Sequence, residues 1–171
     1  MLLSPTYLPK DRMPTKARLK PRTLAVRVLY ELSQTDHTID AVLANHFAYP
    51  RLSDSDDDDD GSGTVSAQHQ AFIRTLVTLA LNNRHALDTL IVDLAPNVPL
   101  NEMPVLQRVV LQLAIAEMRY MGQGRGDYKQ IINAAVEITR AYVGDAPARF
   151  VNGVLGTVAL RYPESRNPST R

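Results

Sequence analysis

The residues with the clearest chemical potential are basic side chains near the N-terminus. Four of them surround the start of the first predicted helix: Arg18, Lys20, Arg22 and Arg27. The free backbone N–H groups and the positive dipole end of a helix attract phosphate, and cationic side chains add to that attraction. The pattern is typical of a protein that binds a nucleic-acid backbone, although a solvated tail is an alternative interpretation of the same charge.

Tyr30 is a candidate for contact with nucleic-acid bases. It follows Arg27 by three residues, so the two side chains share one helical surface. An arginine beside an aromatic ring suits single-stranded RNA, because unstacked bases can stack on the ring. The simpler alternative is that Tyr30 packs into the core with its hydroxyl at the rim. Duplex DNA is less well matched, because the second predicted helix, TIDAVLANHF, contains no arginine or lysine to enter a major groove.

No residue pattern indicates catalysis. The absence of cysteine excludes disulfides, thiolate zinc sites and cysteine nucleophiles, and the four histidines show no HExxH spacing. We expect His46 to be a hydrogen-bonded residue at the edge of the core, and Glu102, Glu117 and Glu137 to lie on solvated helix faces. The sequence therefore predicts a binding protein with no cofactor and no metal site.

The net charge of +1 conceals an uneven distribution. Six of the 18 acidic residues lie between Asp54 and Asp60, and the other 12 stand against 19 lysines and arginines, a balance of +7. Because like charges at this density repel, we expect residues 53–64 to form a disordered acidic loop. The first 21 residues contain four prolines and no periodicity, so residues 1–20 are expected to form a flexible basic arm.

Apolar residues recur at helical spacing through the rest of the chain. The predicted helices begin at Pro21, after Thr38, near Phe72, at Val105, after the candidate cap Asp127 and near Phe150. The third is long and bends near Asn82 and Asn83, and breaks are expected at GQGRG (122–126) and GDAP (144–147). No segment alternates as a strand does, so we predict an all-α fold of six or seven helices over residues 21–162, with a frayed tail at 163–171.

Length and hydropathy fit one globular domain without a membrane segment. The chain has 171 residues, of which 44% are hydrophobic. No apolar run approaches the roughly 18 residues of a membrane helix, and the N-terminus lacks the apolar stretch of a secretory signal. We therefore expect a cytoplasmic protein with no membrane partner.

Four segments resemble one known family. ARFVNGVLG at 148–156 resembles the C-terminal signature of the NusB family of bacterial transcription antitermination factors. Three further segments follow the family order, namely KARLKPRTLAVRVLY (16–30), VVLQLAIAEM (109–118) and DYKQIINAAVEITRAY (127–142). The resemblance implies a bundle of two packed three-helix sub-bundles. It also implies binding to boxA RNA of ribosomal RNA leader transcripts together with NusE, a small-subunit ribosomal protein, in an antitermination complex on RNA polymerase.

The resemblance also implies roles for individual residues. Arg18, Lys20 and Arg22 match basic positions of the family's arm, and Tyr30 matches its first-helix tyrosine. Phe150 matches the phenylalanine associated with the family's RNA surface, and Arg149 lies beside it in the sequence. The positions on the central helix that match the region facing NusE are Gln107, Leu111 and Ile115. Gly153 and Gly156 are expected to let helices approach closely, and Asn152 is expected to cap or bridge backbone groups.

The sequence departs from the family pattern at several places. Ala134 follows Asn133 where the family has glutamate, Gln112 replaces a basic residue, and residues 144–150 lack the usual acidic-serine pattern. NusB-like domains also occur as appendages of ribosomal RNA cytosine methyltransferases, which require a downstream Rossmann-type domain with a nucleophilic cysteine. A helical domain that binds only another protein is a third possibility, and titration with boxA RNA distinguishes it from the first.

Overall fold

The structure is a computed structural model, and it describes residues 21–49, 64–121 and 128–163. These three ranges contain seven α-helices and no β-strand. The helices are α1 (Pro21–Gln34), α2 (Ile39–Ala48), α3 (Ala67–Asn82), α4 (Arg84–Leu94), α5 (Val105–Tyr120), α6 (Tyr128–Tyr142) and α7 (Asp145–Arg161). The prediction of an all-α fold with six or seven helices is confirmed.

Several helices begin where the sequence carries a start signal. Pro21 is the first residue of α1, where its missing N–H costs no hydrogen bond. The side chain of Thr38 accepts a hydrogen bond from the backbone N of Ala41, and that of Ser66 accepts one from the backbone N of His69. Because the first N–H groups of a helix have no partner within it, these caps stabilise the starts of α2 and α3.

The predicted long third helix is two helices. Asn83 separates α3 from α4 with backbone angles φ −109° and ψ 14°, outside the ideal helical region. Its side-chain Nδ2 donates a 2.8 Å hydrogen bond to the carbonyl oxygen of Leu79. The backbone N–H of Asn83 also donates to this carbonyl, at 3.1 Å, so Leu79 accepts two hydrogen bonds from one residue. An amide side chain that bonds to the preceding turn favours a bend in a helix, and here α3 ends at Asn82 and α4 begins at Arg84.

The last helix starts earlier than the sequence predicts. Only Val143 and Gly144 separate α6 from α7, and the φ of +133° at Gly144 is a conformation that favours glycine. Helix α7 then begins at Asp145 and includes Pro147 in its first turn. The GDAP segment is therefore not a break of four residues. Proline is tolerated in the first turn of a helix, because the N–H that it lacks would have no partner within the helix.

Helix α5 forms the centre of the molecule. Every residue from Val109 to Met118 is buried, and α5 packs against α1, α3, α4, α6 and α7. A helix buried all round must be apolar on nearly every face, which explains the long apolar run in its sequence. Helices α1, α2 and α3 form one sub-bundle and α5, α6 and α7 form the other, with α1 and α3 also packing on α5.

Two tyrosines form hydrogen-bond and cation–π contacts that stabilise one end of the C-terminal sub-bundle. The hydroxyl of Tyr128 lies 3.0 Å from the carbonyl oxygens of both Met118 and Tyr162. The guanidinium of Arg119 lies over the Tyr162 ring, 3.6 Å from its centroid. Nearby, Asp93 on α4 pairs with Arg161 on α7 and raises the pKa of that guanidinium above its ordinary value. None of the helices in the described ranges is long and apolar enough to cross a bilayer.

Candidate nucleic-acid interface

The first turn of α1 carries the predicted basic residue Arg22. Arg18 and Lys20 precede it, and both lie outside the described residues, as does nearly all of the acidic loop at 53–64. Their predicted roles therefore stay predictions. The described part of the interface begins at Pro21, where the chain enters α1.

Arg22 makes an internal ion pair with α5. Its Nε donates to Oε2 of Glu117 at 2.8 Å, and its Nη2 donates to Oε1 at 2.6 Å. The Glu117 side chain is only 3% exposed, whereas that of Arg22 is 24% exposed. The prediction that Glu117 lies on a solvated face is therefore wrong. Two parallel hydrogen bonds between a guanidinium and a carboxylate hold both groups in a fixed orientation.

Arg27 connects α1 to the end of α6. Its Nη2 donates a 3.2 Å hydrogen bond to the hydroxyl of Tyr142. Tyr142 is the last residue of α6, and only Val143 and Gly144 separate it from α7. This contact places α1 beside the corner between α6 and α7. No sequence pattern indicated a functional role for Tyr142 beyond its position on an apolar helical face.

Tyr30 and Phe150 have similar surroundings. Both side chains are partly buried and pack against the hydrophobic core. For Tyr30 this matches the alternative in which the ring packs inward. Each ring still has an accessible part, because neither residue is among the fully buried ones.

Arg149 is the available cation near the start of α7. It lies in the second turn of the helix, its side chain is exposed, and it forms no ion pair with any residue of the described ranges. The nearby Arg140 is different, because its Nε lies 3.1 Å from Oδ1 of Asp145. Of these two arginines at the α6–α7 corner, Arg149 therefore has its charge free for an external anion.

The surface of α7 beyond Arg149 differs from the prediction. Asn152 lies in the middle of the helix and is exposed, so it does not cap a helix end. A Cβ atom added at Gly153 or Gly156 would meet nothing within 4 Å. The expectation that these glycines allow close helix approach is therefore wrong, and this strip of α7 is open.

The residues predicted to face a protein partner lie in the core. Leu111 and Ile115 are 0% exposed and Gln107 is 5% exposed. Because α5 is covered on all sides by other helices, these side chains cannot form a partner surface in this structure. The prediction is corrected accordingly, and these three residues stabilise the bundle.

The remaining polar clusters are structural. The Nε2 atom of His46 lies 2.9 Å from Oε2 of Glu31, which satisfies the imidazole at the edge of the core as predicted. Gln112, which stands in place of a basic residue, donates a 2.6 Å hydrogen bond to Asp88. Across the described ranges, no group of three or more histidine, aspartate or glutamate residues is arranged to hold a metal ion.

Comparison with known proteins identifies the family. Residues 19–160 match the model of the NusB family. The transcription antitermination protein NusB of Chloroflexus aggregans is 38% identical over 149 residues, which cover 87% of this chain and 91% of that protein.

Solved structures share the fold. NusB of T. maritima superposes with a TM-score of 0.65 at 22% identity, covering 88% of this chain and 94% of that one. A chain in the crystal structure of a plectonemic RNA supercoil superposes with a TM-score of 0.68 at 16% identity, covering 88% and 97%. With the family model matching most of its length and a relative 38% identical over nearly all of it, this chain belongs to the NusB family.

Proposed function

We propose that this chain is a transcription antitermination factor. In this role it binds boxA RNA of ribosomal RNA leader transcripts together with NusE and acts on RNA polymerase in the cytoplasm. The observation that carries the proposal is the 38% identity to a protein named transcription antitermination protein NusB, across 91% of that protein. The chain acts by binding RNA and protein, and no catalytic step is required.

The start of α1 supports a phosphate contact. The first turn of α1 contains no acidic residue, and its backbone N–H groups face the end at which the basic arm joins. Arg18 and Lys20 immediately precede this turn in the sequence. A helix N-terminus flanked by cations attracts the phosphates of a nucleic-acid backbone.

The corner between α6 and α7 supports a second contact. The hydrogen bond between Arg27 and Tyr142 places α1 beside this corner, and Arg149 presents an unneutralised charge there. Phe150 follows Arg149 with a partly accessible ring. In this proposal the arm supplies the electrostatic attraction, while Tyr30 and Phe150 contact unstacked bases.

The arm is tested by replacing Arg18 and Lys20 together with alanine. Loss of two phosphate contacts on single-stranded RNA lowers the slope of log affinity against log salt by about 1.4, which is about 25-fold in affinity at 0.1 M salt. Fluorescence anisotropy with labelled boxA RNA over a series of salt concentrations measures both quantities. The control is Arg84→Ala, which removes an exposed arginine on α4. Wild-type affinity and slope in the double variant would refute the arm assignment.

A further inference from the structure

The ion pair between Arg22 and Glu117 joins three helices at the start of α1. Besides its two hydrogen bonds to Glu117 on α5, the Arg22 guanidinium lies 5.6 Å from the centroid of the Phe72 ring on α3. Helices α1, α3 and α5 pack on one another, so the contacts of Arg22 fix the first turn of α1 against both neighbours. The sequence distance between the paired residues is 95.

The surroundings of the ion pair are apolar. Arg22 and Glu117 are the charged residues of a small cavity whose other lining side chains are aliphatic, among them Val26, Leu76 and Ile138. Charges interact more strongly where the local dielectric constant is low, and a carboxylate left there without its partner is strongly destabilised. Moving Arg22 onto an external phosphate would leave Glu117 in that state. The guanidinium therefore stays on Glu117 when RNA approaches.

We infer that Glu117 is a positioning residue for RNA binding, and that Arg22 is a tether rather than a phosphate ligand. Glu117 holds Arg22, and Arg22 holds the first turn of α1, from which the chain continues directly to Lys20 and Arg18. A buried acidic residue thus strengthens the binding of an acidic ligand. The inference rests on the proposed function, since it assigns the basic arm to RNA.

For the Glu117→Gln variant, the inference predicts a change in RNA affinity opposite in sign to the change that simple electrostatics predicts. If Glu117 acted only through its negative charge, or withheld Arg22 from RNA, Glu117→Gln would tighten RNA binding. If Glu117 positions the arm, the same change weakens binding, because the start of α1 is held less firmly. Loss of a single phosphate contact weakens affinity about fivefold at 0.1 M salt and flattens the salt slope by about 0.7.

The experiment compares the full chain with three variants against labelled boxA RNA. Glu117→Gln removes the carboxylate charge, and Arg22→Gln/Glu117→Gln removes both charges while leaving two amides that can hydrogen-bond to each other. Glu102→Gln is the matched control, because Glu102 is exposed and forms no ion pair within the described ranges. We expect the Glu117 variant and the double variant to weaken binding about equally, at least fivefold at 0.1 M salt, and both slopes to flatten. The control should differ from wild type by less than about twofold at wild-type slope, since a distant exposed charge is largely screened.

The alternatives give different results. If Arg22 is itself a phosphate ligand, Glu117→Gln binds RNA more tightly and only the double variant binds less tightly, which overturns the inference. Partial unfolding lowers apparent affinity without changing the slope, and circular dichroism measures it independently. Should Glu117→Gln fail to fold, the double variant still provides a test, because it contains no unpaired buried charge: wild-type slope and affinity in it would reject the tether.

Failure of the inference is separable from failure of the proposed function. If Arg18→Ala/Lys20→Ala flattens the slope while the Glu117 variants do not, only the positioning role is lost. If Arg18→Ala/Lys20→Ala binds RNA like wild type, the proposed role of the arm in RNA binding is itself refuted.

Discussion

An arginine in the first turn of α1 and an arginine in the second turn of α7 have contrasting environments. Arg22 on α1 lies between the Glu117 carboxylate and the Phe72 ring, so its charge is used inside the protein. Arg149 on α7 is exposed and has no ion-pair partner in the described ranges. From the sequence alone, both are predicted to bind RNA. Whether an arginine has its charge available to an external anion therefore depends on carboxylates distant in sequence, and a count of basic residues overestimates the number of available cations.

The sharpest test of this contrast is fold stability. Arg22→Ala should lower the free energy of unfolding by about 3 kcal/mol, because it leaves a buried carboxylate without its counterion. Arg149→Ala should change it by less than about 0.5 kcal/mol, since an exposed unpaired side chain contributes little to folding. Urea denaturation followed by far-ultraviolet circular dichroism measures both. Equal effects for the two substitutions would remove the distinction between an internal and an external arginine.

A smaller effect tests the link between α1 and the α6–α7 corner. Tyr142→Phe removes the hydroxyl that accepts a hydrogen bond from Arg27, and we expect a loss of about 1 kcal/mol in unfolding free energy. Tyr49→Phe is the control, because Tyr49 is 73% exposed. A Tyr142 variant as stable as wild type would show that this hydrogen bond does not fasten the corner.

The smallest effect concerns the open strip of α7. Gly153→Ala should raise unfolding free energy by up to about 1 kcal/mol, because alanine favours a helix and its Cβ meets nothing within 4 Å. Gly144→Ala should instead destabilise the protein, since its φ of +133° is unfavourable for a side chain. Thermal unfolding midpoints compare the two. A destabilised Gly153 variant would mean that other residues cover α7 at this position, which would contradict the description of this strip of α7 as open.

Most of the fold could be predicted from local sequence. Apolar spacing located the helices, Pro21 and Thr38 marked two starts, and the long apolar run of α5 indicated its central position. The errors lie at helix boundaries. The predicted bend near Asn83 is a break between two helices, and three of the four residues of the predicted GDAP break belong to the first turn of α7.

Less of the candidate site could be predicted from the sequence, because its most important contacts join residues that are distant along the chain. Glu117 looks like an ordinary helical glutamate until Arg22, 95 residues away in sequence, is placed beside it. The same holds for Arg27 and Tyr142, which are 115 residues apart. Matching family positions on α5 selected Leu111 and Ile115, but helical spacing alone cannot tell a partner-facing residue from one covered by other helices.

The most direct test of the central claim is a titration of the full chain with labelled boxA RNA in the presence and absence of NusE. The antitermination proposal predicts that the chain binds boxA RNA and that NusE raises this affinity, with a scrambled RNA of equal length binding more weakly in both cases. RNA affinity that NusE does not raise would contradict the antitermination role. Equal affinity for the scrambled RNA would reduce the interface to non-specific attraction between a basic arm and phosphate.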